Sequence, residues 1–285
     1  MIEGGKRIVG KVGKSYDMPP MITIITIVLN DEKNIEKTIV SIVNQRYTNF
    51  EFIIIDGGSG DKTIEVIKQY ELKIDYWCSE PDGGIYYAMN KGIELANGRY
   101  ILFMNSGDEF FSNDVLTKVF QNPNSGAEII YGNTAVDFGG ITSVNIAGEV
   151  NRSNTMPFCH QSVFVRTEVL QARKFDINFM ICADRNFFTN CFFDNIQFHF
   201  MNIVISKIKA FGYSTRESII HVKEQNKICL RYGTISKFVA YKKMGIIIFR
   251  YLFIKGTPHK LRILYHTWNS RKMEIEVVST ERTPK

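Results

Sequence analysis

The residues of this chain best able to do chemistry sit in short polar clusters that follow directly on apolar runs. Asp56-Gly-Gly-Ser-Gly-Asp61 is the first. Small residues let a backbone approach a ligand closely, and a carboxylate on the last residue of a strand accepts hydrogen bonds from a base or a ribose. Asp61 serves equally well as a helix cap, whereas a tight turn has no need of Asp56. The glycine spacing is not G-x-G-x-x-G, which argues against a dinucleotide fingerprint. Asn105-Ser-Gly-Asp108 is the second cluster. A hard divalent cation such as Mg²⁺ takes one or two carboxylates and completes its shell with substrate phosphates, so Asp108 beside Asn105 is protein enough. The plainer alternative is a turn, or a cap for a helix near Ser112. Asp184 opens a helical stretch after Phe179-Met-Ile-Cys-Ala183, and is there either a cap or a carboxylate aimed from a fixed backbone. His160 stands beside a strand, as a core residue or a ligand contact.

The elements that must position these groups are legible in the periodicity. Met21 to Leu29 is almost continuously apolar and β-branched, as a parallel strand covered on both faces must be. Ile35, Ile39, Ile42 and Val43 then recur at helical spacing, with Asn30 or Asp31 available as a cap. The β-α pattern repeats: strand 50–55, helix 61–70, strand 74–78, helix 85–96, strand 100–104. Such alternation predicts an open, mostly parallel α/β sheet flanked by helices, with ligands beyond the strands' carboxyl ends. Asn30, Asp56, Glu80 with Asp82, and Asn105 to Asp108 stand at those ends. After Tyr131 the segments shorten. Asp137-Phe-Gly-Gly140 reads as a hairpin turn, and a seam is expected there between a nucleotide-binding half, 21–132, and an acceptor half, 133–204. Phe187, Phe188, Phe192 and Phe193 fall at helical spacing and read as core.

With 45% hydrophobic and 22% charged residues over 285 positions, the chain is a folded protein and not a disordered one. Its five cysteines show no zinc or C-x-x-C spacing, so buried thiols in a reducing, cytoplasmic setting are expected. Residues 1–20 lack the apolar run of a signal peptide and read as a flexible leader. Between 205 and 272, 15 Lys or Arg face only Glu217 and Glu224, a net +13 in a chain of net +6. A basic, mainly helical C-terminal extension, 205–285, is therefore expected. Its apolar stretch Met244–Ile254 is short of the ~20 residues that span a bilayer, which predicts a peripheral protein on an anionic membrane surface.

Ile24 to Asn30, Ile54-Ile-Asp-Gly-Gly-Ser-Gly-Asp-Lys-Thr63, Glu80-Pro-Asp-Gly-Gly-Ile-Tyr-Tyr-Ala-Met-Asn-Lys-Gly92 and Asn105-Ser-Gly-Asp108 together resemble the ordered motifs of family 2 glycosyltransferases, which have the GT-A fold. His160-Gln-Ser-Val-Phe-Val-Arg166 and Cys182-Ala-Asp184 are similar to later motifs of the capsule and exopolysaccharide branch. The resemblance covers roughly residues 21–195. It implies an inverting transfer from a nucleotide-sugar, UDP first, to a glycan or lipid-linked acceptor, assisted by Mn²⁺ or Mg²⁺. It also implies residue roles: Asn30, Asp56 and Asp61 at the nucleoside, Asp82 and Lys91 beside the nucleotide or donor sugar, Asp108 on the metal, Asp184 as general base. Asn105 and His160 are placed on the donor side. Gly83, Tyr87, Arg185 and Asn186 depart from the family pattern.

Three other functions compete. A sugar nucleotidyltransferase would lead with a Gly-rich basic loop where this chain has Val28-Leu-Asn-Asp-Glu-Lys33. A degenerate, non-catalytic glycan- or membrane-binding module has no reason to keep Asp56, Asp108 and Asp184 together. Nucleic-acid binding lacks any recognised motif.

Overall fold

The computed structural model describes residues 1–9, 19–121, 126–210 and 219–256, with side chains as far as residue 247. The chain divides into two compact units, Met1–Thr215 and Arg216–Lys285. The first unit opens with strand β1 (Ile2–Gly4) and one turn of helix, α1 (Lys6–Val9). Its heart is then built by alternation: β2 (Ile22–Val28), α2 (Ile35–Val43), β3 (Phe50–Asp56), α3 (Thr63–Gln69), β4 (Tyr76–Ser79), α4 (Ile85–Leu95) and β5 (Tyr100–Phe103). β2 to β5 are mutually parallel, in the spatial order β4-β3-β2-β5. Every residue of β2 is buried, which is why its sequence is apolar on both faces and does not alternate. Ile35, Ile39 and Ile42 of α2 pack on this sheet with Phe52, Ile54 and Leu102.

The second part of the unit adds β6 (Glu109–Phe110), α5 (Val115–Phe120), β7 (Ile129–Asp137), β8 (Thr142–Asn145), a 3₁₀ turn at His160–Ser162, β9 (Val163–Arg166), α6 (Thr167–Arg173), α7 (Ala183–Phe193) and β10 (Phe198–Lys209). β9 pairs antiparallel with β5 and β7, β10 runs parallel to β7, and β6 closes that side. The turn expected at Asp137–Gly140 is present as the β7–β8 hairpin, with Asp137 Oδ1 accepting the Gly139 N–H at 2.9 Å. Phe187 and Phe188 are core, as expected, whereas Phe192 and Phe193, near the end of α7, are only half-buried; all five cysteines are free, with Cys78, Cys182 and Cys191 buried as expected and Cys159 and Cys229 half-buried.

Three boundaries differ from the sequence reading. No seam divides the unit at 132: β7 runs straight through that position, and one sheet continues across it. The first unit does not stop at 204 either, because β10 extends to Lys209, so Lys207 and Lys209, the first basic residues of the expected extension, are strand residues. The start of the leader is ordered. β1 pairs antiparallel with the edge strand β4, and the Lys6 and Arg7 N–H groups donate to the Ile74 and Asp75 carbonyls at 3.0 and 2.9 Å. Arg7 then reaches the Glu51 carboxylate, which also accepts from Thr23 Oγ1 at 2.7 Å and the Asn97 N–H at 3.0 Å. An edge strand with open N–H and C=O groups gains from any cover, and a buried carboxylate needs a cation. Residues 10–18 of the expected leader, and 211–218 and 257–285 of the expected extension, lie outside the described residues.

The second unit holds α8 (Ile219–Arg231) and α9 (Lys237–Gly256), joined at the buried Asn226, whose Nδ2 donates to the Ala240 carbonyl at 2.9 Å. The basic extension is helical there, as the sequence suggests.

If the N-terminal clasp is structural, Arg7→Ala strands a buried carboxylate and lowers stability by about 1–3 kcal/mol. Urea unfolding of the full chain measures this, and an unchanged midpoint would return residues 1–9 to the status of a loose leader.

Candidate active site

The parallel register brings the carboxyl ends of β2, β3 and β4 level, with Val28 opposite Asp56 and Asp56 opposite Ser79. The loops leaving this edge carry Asn30, Asp56, Asp61 and Asp82. Asp56 is buried, and its oxygens are taken by the Gly58 N–H at 2.9 Å, the Ser59 N–H at 2.8 Å, the Ser79 hydroxyl at 2.6 Å and the Ser59 hydroxyl. The expectation that this turn has no use for a carboxylate is therefore wrong. Asp56 builds the turn, and Gly58, at φ +86°, supplies the left-handed residue that curls the N–H groups back onto it. Asn30, also left-handed at φ 51°, accepts the Gly60 N–H at 2.8 Å through Oδ1 and donates its own N–H to Ser59 Oγ at 2.7 Å. The two loops are thus one hydrogen-bonded lip.

Asp61 takes the capping role. Oδ1 accepts from the Thr63 N–H at 3.0 Å and hydroxyl at 2.5 Å, and Oδ2 accepts the Glu32 N–H at 3.2 Å. The hydrogen bonds from Thr63 hold its carboxyl below the usual range. Asp82 is exposed and accepts the Gly84 N–H at 2.8 Å. Its Oδ2 rests 3.0 Å from where a Cβ at Gly57 would stand, so the Asp82 carboxylate lies directly against the β3 loop. Lys91 is ion-paired with Glu80. Gly83 is packed under the Tyr87 ring, 2.7 Å from a notional Cβ, so the departures from the family pattern at 83 and 87 are one steric pair.

A second cluster gathers around the 3₁₀ turn. His160 Nε2 lies 3.2 Å from Asn105 Nδ2, and Nδ1 lies 3.5 Å from Asp184 Oδ2. Nδ1 faces Asp184, and the role of Nε2 toward the Asn105 amide is set by the tautomer of the ring. Next in sequence, Gln161 Nε2 donates to Asp108 Oδ2 at 2.9 Å. Ser162 anchors the turn from below through Thr134 Oγ1 and Ser206 Oγ, both at 2.7 Å. The Asp108 loop is fixed from α2, where Thr38 Oγ1 donates to the Asp108 carbonyl at 2.7 Å. Glu109 turns away to pair with Lys37 at 3.2 Å.

The two carboxylates of this cluster are shifted in opposite directions by their surroundings. Burial pushes Asp108 up to about 6, against the opposing pull of Gln161 and the His160 charge. Burial also acts on Asp184, but the His160 hydrogen bond and charge, with the Arg185 N–H, outweigh it and hold the carboxyl below its ordinary value. His160 therefore sits within electrostatic reach of both.

A divalent cation fits this place. Asp108 is a carboxylate destabilised by burial, and Asn105 Oδ1 is a buried acceptor with no hydrogen-bond partner. Among the described residues no three or more His, Cys, Asp or Glu side chains converge as a metal cage.

The family model of glycosyl transferase family 2 matches residues 23–190, more than half of the chain. The chain belongs to this family. A family 2 origin accounts for the motif order along the whole parallel half. The chain is 42% identical over 103 residues to an uncharacterised glycosyltransferase of Mycobacterium tuberculosis, a match covering 36% of this chain and 39% of that relative. The chain thus spans about two fifths of the length of such curated relatives. It is 26% identical over 203 residues to a PGL/p-HBAD biosynthesis glycosyltransferase of Mycobacterium bovis, covering 68% of this chain and 78% of the relative. Among solved structures, TarS 1-349 of S. aureus in complex with UDP-GlcNAc superposes with TM-score 0.61 at 14% identity, over 84% of this chain and 76% of that one. The mannosyltransferase PcManGT of Pyrobaculum calidifontis, in complex with GDP-Man and Mn²⁺, gives TM-score 0.58 at 16% identity, over 78% and 66%. The fold is GT-A.

Within this family 2 frame, sequence reasoning missed three residues. Gln161 orients Asp108, Ser162 anchors the turn, and Tyr86 reaches Asp184. Gln161 and Ser162 directly follow His160, so the tripeptide could have been read as a unit. Tyr86 left no signal, because nothing in its spacing announces a contact nearly a hundred residues away.

Proposed function

We propose that this chain is an inverting glycosyltransferase that moves a sugar from a nucleotide-sugar, UDP-linked by preference, to a hydroxyl of a glycan or lipid-linked saccharide. The setting is cell-surface polysaccharide synthesis. One observation carries the reading: the adjacent residues His160 and Gln161 contact two carboxylates whose environments shift them in opposite directions, Asp184 and Asp108, beside the donor-facing edge of the sheet. TarS with UDP-GlcNAc and PcManGT with GDP-Man and Mn²⁺ support the donor class and the metal, since this chain shares their fold.

In this reaction the lip formed by Asn30, Asp56 and Ser59 receives the nucleoside, with Asp61 keeping the lip's far end in place. Asp82 and the Lys91–Glu80 pair flank the diphosphate and sugar. Asp108, with Asn105 Oδ1, would hold Mn²⁺ or Mg²⁺, which when bound neutralises the charge on the departing diphosphate. Asp184, ionised and on the first turn of α7, takes the proton of the acceptor hydroxyl. The freed oxygen bonds to the anomeric carbon as the carbon–oxygen bond to the diphosphate breaks, and the configuration inverts. His160, with Nδ1 toward Asp184, orients that carboxylate.

The second unit supplies the location. Along α9, Phe238 and Tyr241 are 77% and 74% exposed, amid Lys237, Lys242 and Lys243. Aromatic rings at headgroup depth with flanking lysines suit an anionic bilayer surface, each basic residue adding about 1 kcal/mol. No described helix is long and apolar enough to cross a membrane. Membrane-surface binding and a lipid-linked acceptor are then one proposal.

Calorimetric titration of UDP with and without Mn²⁺ tests the donor site: affinity rises with the metal in the wild type, and the rise disappears in Asp108→Ala. A metal-dependent affinity that survives this substitution removes Asp108 from the metal site.

Asp184→Asn keeps the shape, and so should keep UDP affinity while transfer drops by ~10²-fold or more. Near-wild-type turnover in the folded variant would move the base elsewhere, with Asp82 the next candidate.

For the surface, flotation with phosphatidylserine-containing vesicles should capture the protein at low salt, and Lys242→Glu with Lys243→Glu should release it. Equal capture by neutral vesicles would sink the electrostatic claim.

A further inference from the structure

Tyr86 lies in the first turn of α4, immediately beyond the donor-side loop Glu80–Gly84, and its side chain is buried. Its hydroxyl donates to the Ile181 carbonyl at 2.6 Å and lies 3.3 Å from Asp184 Oδ1. Oδ1 also accepts the Arg185 N–H at 2.7 Å. The two oxygens of Asp184 have different surroundings: Oδ1 accepts the Arg185 N–H and lies beside the Tyr86 hydroxyl, whose one proton is shared with the Ile181 carbonyl, while among the described residues Oδ2 faces the His160 ring at the longer distance of 3.5 Å. The Tyr86 ring is clamped by Phe175, 5.6 Å between centroids, and Phe175 packs in turn on Phe103 and Phe187. The hydroxyl position is thus set by aromatic packing between α4 and α7 and not by a mobile surface chain.

We propose that Tyr86 is a positioning residue: its hydroxyl locks the backbone at Ile181 and the rotamer of Asp184, so that Oδ2 is the oxygen presented to the acceptor. This rests on Asp184 being the base of the proposed transferase. The physical reason is geometric. A carboxylate free to rotate offers either oxygen, whereas a base must stand within hydrogen-bond reach of one particular proton, and small misplacements are costly in rate. Burial and the Asp184 charge keep the Tyr86 hydroxyl protonated, so it stays a donor. A structural link also follows. The Asp82 carboxylate holds the Gly84 N–H, Gly84 caps the start of α4, and Tyr86 is the second residue of that helix. The loop that would carry the donor and the residue that would activate the acceptor are joined through a single helical turn.

The test uses the full chain with UDP-glucose, UDP-galactose and UDP-N-acetylglucosamine, Mn²⁺ present, and UDP release to water as the readout on whichever donor the wild type turns over. In Tyr86→Phe, which keeps the ring, kcat should fall about 10-fold or more, the loss typical of a hydrogen bond to a charged group. The donor KM and the calorimetric UDP affinity should change less than about twofold. A double-mutant cycle in urea between Tyr86→Phe and Asp184→Asn should be non-additive, since the two groups are in contact.

If Tyr86→Phe matches the wild type in kcat, or if the cycle is additive, the positioning role is overturned while the transferase reading stands. If the wild type neither binds UDP nor releases it from any of the three donors, the UDP-transferase reading fails, and this role for Tyr86 goes with it.

Discussion

Everything in the catalytic unit depends on the register of four parallel strands. Ladder pairing of β2 with β3 and of β3 with β4 puts Val28, Asp56 and Ser79 side by side at the same edge. A slip of one residue would turn the fully buried side chains of β2 to their opposite faces and move Asp56 off the Ser79 hydroxyl. Burial on both faces makes such a slip expensive. The site's polar groups are thus located by apolar packing that they do not themselves provide. Asp56 then converts strand order into loop order, by gathering donors from its own loop and from the neighbouring strand.

The antiparallel additions supply what the parallel half lacks. β9 runs back along β5, so the 3₁₀ turn just before it arrives above the carboxyl end of β5, where Asn105 and Asp108 lie. Ser162 ties that turn to β7 and β10 through buried hydroxyls. Adjacent side chains at 160 and 161 can then reach two carboxylates that are far apart in sequence. The continuity of the sheet through residue 132 is what allows this; two halves meeting at a seam would not hold the turn against β5.

The sequence showed those features whose cause is local. β2 to β5 and the intervening helices are strong periodic signals, and each polar cluster follows a strand end, so their shared edge could be inferred from parallel connectivity alone. Long-range pairings were hidden. Ile2-Glu-Gly4 is too short to show any period, and becomes a strand only because β4 offers an edge and Glu51 a buried charge. Asp56 was read as a ligand contact because its role as a turn builder needs Ser79 from another strand. Tyr86 looked like an ordinary helix residue, since its partner Asp184 is set beside it by the packing of Phe175 and Phe187.

The division of labour between Asp108 and Asp184 follows from what surrounds each. Two carboxyls in neighbouring positions, one raised toward 6 by burial and the other held low by His160, are separated by environment and not by residue type. A carboxylate raised by desolvation has an unmet need for positive charge, and a divalent ion supplies it. A carboxylate already stabilised by a neighbouring imidazole has no such need, so a cation would gain less there than at Asp108. In the proposed reaction this keeps the metal on the diphosphate side and leaves Asp184 ionised to receive a proton. The low value makes Asp184 a weak base at rest, so its competence must come from placement. That gives the fixed geometry around Oδ2 its importance: where basicity is modest, the rate depends on holding the acceptor hydroxyl and the carboxylate oxygen within reach as the bond to the anomeric carbon forms.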